Sequence, residues 1–140
     1  MNILYYDIET AQNLVALFQL QHNDFIDPSA IVRERYMISA AWAWNDEEKV
    51  HAVSVLDDPK QYAKNPHDDY VVVKALYDVL AKADVIIGHN ADHFDKKWLD
   101  TRALIHGLPP LPPIVSIDTL KVAKKRFLLN SNKLDYIAKL

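Results

Sequence analysis

The apolar residues of this chain change their spacing part-way along, and that change limits the fold more than any other feature. From residue 2 to residue 56 they gather in β-prone runs; from residue 69 onward they recur at helical spacing, with short β-branched runs between. Residues 2–6 read as a buried strand ending at Asp7, residues 13–20 as a second strand and residues 37–44 as a third. Residues 45–48 form a turn, and 49–56 are the antiparallel partner of the third strand. Residues 22–29, polar and containing Pro28, read as a loop. After a loop containing Pro59 and Pro66, the residues Val71, Val72, Ala75, Leu76, Val79 and Leu80 predict a helix over 69–83. Residues 84–88 (DVIIG) form a buried strand, and Phe94, Trp98, Leu99, Arg102 and Ile105 predict a helix over 94–106 closed by Gly107. The proline-rich 108–113 is a stiff connector, 114–117 a further strand, and Asp118 the N-cap of the helix that follows. Leu134, Ile137 and Ala138 begin a last helical stripe. A meander of strands followed by α-β-α-β-α is an α/β three-layer arrangement, helices covering a mixed sheet.

Nothing in these 140 residues marks an internal boundary, so the expectation is one domain spanning 1–140. The 50% apolar content and only two glycines argue against disorder. The absence of cysteine excludes a disulfide scaffold, a zinc ribbon and cysteine catalysis, and a chain that needs no disulfide suits a reducing, cytoplasmic compartment. The start, MNILYYDIET, has acids where a signal peptide needs a basic and then apolar run, and no stretch approaches the roughly 20 apolar residues of a membrane helix. The net charge of −3 hides an asymmetry: residues 1–83 carry 7 Lys/Arg against 13 Asp/Glu, and residues 84–140 carry 9 against 6. Such a split lets a polyanion approach one side of the molecule.

Two acidic groupings carry the chemistry. Asp7 and Glu9 are two apart at the end of the first strand, so their side chains share one sheet face. Two acids projecting together resist ionisation unless a cation sits between them. The second grouping, His89-Asn90-Ala91-Asp92-His93-Phe94-Asp95, starts at the C-terminal end of another strand, the edge where α/β sheets collect polar groups, and its Asp95 opens a helix. If the two strands are neighbours, Asp7, Glu9 and Asp95 converge, and hard oxygen ligands without thiolate suit Mg²⁺ or Mn²⁺.

In order along the chain, Asp7-Ile8-Glu9-Thr10 resembles the first motif, D-x-E-T, of the DEDD superfamily of 3′–5′ exonucleases, and Asn90-x-x-x-Phe94-Asp95 resembles its second. Ile117-Asp118-Thr119-Leu120 and then Ser131-Asn132-Lys133-Leu134 resemble the approach to the third. Within that superfamily the chain is similar to the exonuclease domains of family B polymerases and to stand-alone phage exonucleases. The resemblance implies an RNase H-like fold and removal of nucleotides from a 3′ end, of DNA rather than RNA. It also implies two divalent metals held by Asp7, Glu9 and Asp95: Asp7 bridging, Glu9 serving the metal that activates water, Asp95 acting on the second. Thr10 and Asn90 would position the terminal nucleotide, with Phe94 packed beneath the site. Lys124 and Lys125, in a basic cluster with Lys121 and Arg126, would contact phosphates or form a solvated helix face.

The third motif itself, Y-x-x-x-D or H-x-x-x-x-D, does not follow in these residues. His22 to Asp27 is the one match, and it lies between the first two motifs; Asp118 and Asp135 come too soon after Asp95. The expectation is a domain cut short before its last helix, its site completed by a further segment or a partner polymerase, or else a non-catalytic nucleic-acid-binding or scaffolding domain. Three smaller features have plainer readings. His89 and His93 lack a third nitrogen ligand for zinc, Trp42 and Trp44 share a facing that suits packing, and the prolines suit a connector better than a docking motif.

Overall fold

A computed structural model describes residues 1–18 and 25–140. Its centre is a five-stranded mixed sheet built from β1 (Ile3–Ala11), β4 (Tyr36–Trp44), β5 (His51–Ser54), β6 (Val85–Gly88) and β7 (Val115–Asp118), in the order β5-β4-β1-β6-β7. β1 pairs antiparallel with β4, and β4 with β5; β6 lies parallel to β1, and β7 parallel to β6. The antiparallel meander and the parallel extension, both expected from the change of apolar period, meet at β1.

Two differences from the sequence reading concern the N-terminal half. The strand at 13–20 does not join the sheet. It is β2 (Leu14–Val15), which pairs with the unforeseen β3 (Ile31–Arg33) in a separate ribbon. Both edges of β1, the strand it follows in the chain, are taken by β4 and β6, and the short β2–β3 pairing buries little. Residues 19–20 of that expected strand, and residues 22–24 of the expected loop including His22, lie outside the described residues. The second difference is that β1 continues through Asp7 and Glu9 to Ala11, with an irregularity between Glu9 and Thr10. Both acids thus sit inside a paired strand rather than beyond its end.

Leu4, Tyr6 and Ile8 of β1, with Ile86 of β6 and Met37 and Ala40 of β4, face the main core. α2 (Tyr70–Leu80) covers them with Val72, Val73, Leu76 and Leu80, and α3 (Asp95–Ile105) with Trp98, Leu99 and Ala103. Val72, Leu76, Leu80, Trp98 and Leu99 follow the helical stripes read from the sequence, whereas Val73 and Ala103 were not part of them and Ile105, which was, is exposed. α3 ends as expected: Gly107, with φ of 71°, takes the left-handed conformation that a C-terminal cap requires. Leu108 and Leu111 of the proline-rich connector pack onto the core, as do Trp42 and Trp44, which agrees with their packing roles. A short α1 (Pro59–Lys64), capped by the Asp58 carboxylate at Gln61 N–H, replaces the expected loop. α4 (Thr119–Arg126) and α5 (Leu134–Ile137) complete the chain. The opposite sheet face carries Tyr5, Asp7, Ala41, Ala43 and Ile87 around a cleft of about 370 Å³, bordered by Thr119 and Leu134. No helix among the described residues is long and apolar enough to cross a membrane.

Candidate functional site

The candidate site lies where β1 outruns β6. Their pairing covers Ile3–Tyr5 against Val85–Ile87, so beyond Tyr5 that edge of β1 has no strand beside it. A peptide N–H left unpaired inside a protein is costly, and the N–H of Ile8 finds its acceptor in Asp95 Oδ1 at 3.1 Å, from the first turn of α3. Asp95 is 3% exposed. Burial pushes its carboxyl up to about 6, opposed by N–H bonds from its own backbone and from Ile8, and reinforced by the nearby acids Asp7 and Asp118. No Lys, Arg or His among the described residues pairs with it within salt-bridge distance.

Asp7 and Glu9 share the face opposite Leu4, Tyr6 and Ile8, as period-two geometry required, and both are exposed. The structure thus brings Asp7 into electrostatic contact with Asp95. It does not draw the carboxylate oxygens of Asp7, Glu9 and Asp95 within 4.8 Å of one another. Thr10 follows the strand irregularity and is half-buried. The donor chemistry nonetheless fits a divalent cation: all candidate ligands are hard oxygens, and Asp95 is a buried carboxyl whose ionised form lacks a protein counter-charge.

The loop that delivers Asp95 is tightly specified. At Gly88 an added Cβ would stand 2.5 Å from the Cβ of Ala91, so only glycine allows the chain to fold back this closely. Asn90 adopts φ of 63°, a left-handed conformation rare outside glycine, and its C=O accepts from the N–H groups of His93 and Phe94. Its N–H donates to Asp118 Oδ1 at 2.9 Å. Asp118 also accepts from Asp92 N–H at 3.3 Å, and it caps α4 through Leu120 and Lys121 as expected. Lys121 Nζ in turn reaches Asp92 at 2.6 Å and holds that carboxyl below its ordinary value, with Ser116 assisting. The cap role of Asp118 was legible in the sequence. Its reach across 28 residues to Asn90 had no signal there. Phe94 is half-exposed, its ring 5.7 Å from that of Trp98. His89 has both ring nitrogens engaged, with Thr119 Oγ1 and the carbonyl of Asn132, each at 2.9 Å. Lys124 and Lys125 are exposed on the last turn of α4 beside Arg126.

No family model matches the chain, and no curated protein matches it. Among solved structures it is similar to the family B DNA polymerase from the hyperthermophilic archaeon Pyrobaculum calidifontis, with a TM-score of 0.69 and 18% identity. The match takes in 99% of this chain and 18% of the polymerase, so the chain spans less than a fifth of that protein's length. At such identity the likeness is one of fold. The chain has an RNase H-like fold.

A second acidic centre lies elsewhere on this RNase H-like frame. Asp68, Asp69 and His106 place ligand atoms within 4.8 Å of one another, a donor set that could bind a metal ion. Asp69 is fully buried, and its oxygens already accept from Arg102 Nη2 at 2.7 Å, Arg102 Nε at 2.8 Å, Met37 N–H at 2.8 Å and His106 Nε2 at 2.6 Å. The guanidinium supplies the charge that an ion would bring. The sequence reading missed this group, whose members are 33 and 37 residues apart.

Proposed function

We propose that the chain is a metal-dependent 3′–5′ exonuclease domain acting on the 3′ end of DNA. The observation that carries the reading is Asp95: a buried carboxyl fixed on Ile8 N–H beside Asp7, with its charge uncompensated by the protein. An acid held in this state suits a site completed by Mg²⁺ or Mn²⁺. Asp7, Glu9 and Asp95 would hold two such ions, which when bound supply a water acidified towards neutrality and charge compensation on both sides of the scissile phosphate. The chain's own residues orient these parts. β1 presents Asp7 and Glu9 on one face, and the Gly88–Phe94 loop brings Asp95 to the same strand. The ordered motifs support the assignment: D-x-E-T lies on β1, and N-x-x-x-F-D lies in the loop and helix start that follow the neighbouring β6. Thr10, Asn90 and Phe94 would contact the terminal nucleotide, and Lys124 and Lys125 the phosphates upstream. A polymerase is the partner that the motif resemblance suggests.

The test is hydrolysis of a single-stranded oligonucleotide by the chain together with the further segment or polymerase expected to supply the third motif. With Mn²⁺ or Mg²⁺, a 5′-labelled strand should shorten stepwise from its 3′ end; Asp7→Ala should lose this, and EDTA should abolish it. The separation of the three carboxylates favours one competing reading, a nucleic-acid-binding domain without catalysis. Salt-sensitive binding of the strand with no product under either metal would replace the first reading by the second.

A further inference from the structure

We infer that Asp118 is a positioning residue for the carboxylate site: by gripping the Gly88–Phe94 loop it sets where Asp95 meets β1. Its functional weight rests on the exonuclease reading above, and its structural content stands without it. Asp118 is 3% exposed and closes β7 opposite Gly88, the last residue of β6. A helix cap needs only the bonds to Leu120 and Lys121. The bonds to Asn90 and Asp92 are additional, and they act on the loop that carries Asp95. Asn90 is the single non-glycine residue in the left-handed region among the described residues, and the Asp118 carboxylate receives the N–H that this conformation turns outward. Ser116 and Lys121 hold the Asp92 side chain from the same β7–α4 unit, so the loop is clasped at its backbone and at its one outward acid. From there the chain makes one turn, through the Asn90 carbonyl, and places Asp95 on Ile8. Two buried aspartates thus act in series: Asp118 fixes the loop, and Asp95 fixes the strand.

The experiment compares Asp118→Ser and Asp118→Asn in the full chain. Serine retains an oxygen able to cap α4 but is too short to serve Asn90 and Asp92 as well, whereas asparagine keeps the reach and one acceptor. Amide hydrogen exchange at Ile8 and Asn90, read by NMR in metal-free protein, is set beside thermal melting and Mn²⁺ affinity. The expected result is that D118S melts close to the parent, exchanges Ile8 and Asn90 at least about tenfold faster and binds Mn²⁺ at least about tenfold more weakly, while D118N stays near the parent. Parental exchange at Ile8 in D118S would overturn the inference. So would loss of Ile8 protection only in step with a global loss of stability, since that describes a helix cap and nothing more. If the parent binds no Mn²⁺, the exonuclease reading falls, and the Ile8 exchange still decides the role of Asp118.

Discussion

Asp69 and Asp95 are alike in most respects that structure can measure. Both are buried, both stand at the start of a helix, and both accept a backbone N–H from the central sheet, Met37 of β4 for one and Ile8 of β1 for the other. They differ in their company. Asp69 is met by a bidentate guanidinium and an imidazole, whereas Asp95 has a second carboxylate nearby and burial pushes its own up to about 6. The first arrangement completes itself and ties β4 to α3. The second leaves the ionised carboxyl without a counter-charge from the protein, and folding tolerates it at a cost. Perturbed acids cluster at functional sites for this reason.

Removing the carboxylates should separate the two centres, most sharply at Asp69. Asp69→Ala strands the Arg102 guanidinium and the Met37 N–H in the interior, and breaking a buried pair in this way costs about 3–5 kcal/mol. Against a total stability of about 5–15 kcal/mol, that should lower the melting temperature by roughly 10–20 °C. If the variant instead melts like the parent, Asp69 is no structural centre and its metal-capable geometry returns to consideration.

Asp95→Asn should go the other way. The folded carboxyl sits near 6 against an ordinary value of 3.8. Between those pH values the folded chain keeps a proton that the unfolded chain has released, so stability falls as pH rises. The decline amounts to about 2–3 kcal/mol and is complete just above pH 6. Asparagine keeps the bond from Ile8 without the charge, so urea unfolding should show no such decline and a more stable protein at pH 7. Mn²⁺ at pH 7 should raise the melting temperature of the parent and leave that of D95N unmoved. Parallel pH profiles for the two proteins would remove the distinction drawn between the acids.

The same contrast separates what the sequence disclosed from what it withheld. Asp7 and Glu9, two apart on a strand, and Asp95, at the entry of a periodic helix, were readable because local spacing dictates their direction. So were the five strands of the central sheet, from their apolar runs, although 13–20 was counted with them, and so was Gly107 as a cap. The Asp69–Arg102–His106 group, the grip of Asp118 on Asn90 and the β2–β3 ribbon were not. Each joins segments whose separation carries no period, and each partner alone reads as an ordinary polar residue. The distance between the Asp7, Glu9 and Asp95 oxygens was equally out of reach, since it depends on how far β1 outruns β6.

Gly88 offers a smaller effect on the Asp95 side alone. Gly88→Ala would set a methyl 2.5 Å from the Cβ of Ala91 and 3.4 Å from the Tyr6 carbonyl, and relief of such overpacking costs about 1–3 kcal/mol. The loop must shift to make room, so Mn²⁺ affinity should fall along with the melting temperature. A variant that loses stability but binds Mn²⁺ as before would show that the loop and the carboxylate site are less tightly joined than the Asp118 bonds indicate.

The smallest effect belongs to Tyr6, and it tests whether the incompleteness of the Asp95 region extends beyond its acids. The Tyr6 hydroxyl is buried with no protein partner among the described residues, and burial together with the Asp95 charge pushes its ionisation well above the ordinary value. Around Asp69 each carboxylate oxygen has a donor; here a donor has no acceptor. A desolvated hydroxyl without a partner costs about 1–3 kcal/mol, part of which Tyr6→Phe should return while the ring keeps its place in the core. The variant should therefore match the parent or melt a few degrees higher, by up to about 1 kcal/mol. A lower melting temperature would mean that the hydroxyl has a partner of its own, and the Asp95 region would then be less open, and closer in kind to the Asp69 centre, than its unpaired carboxylate suggests.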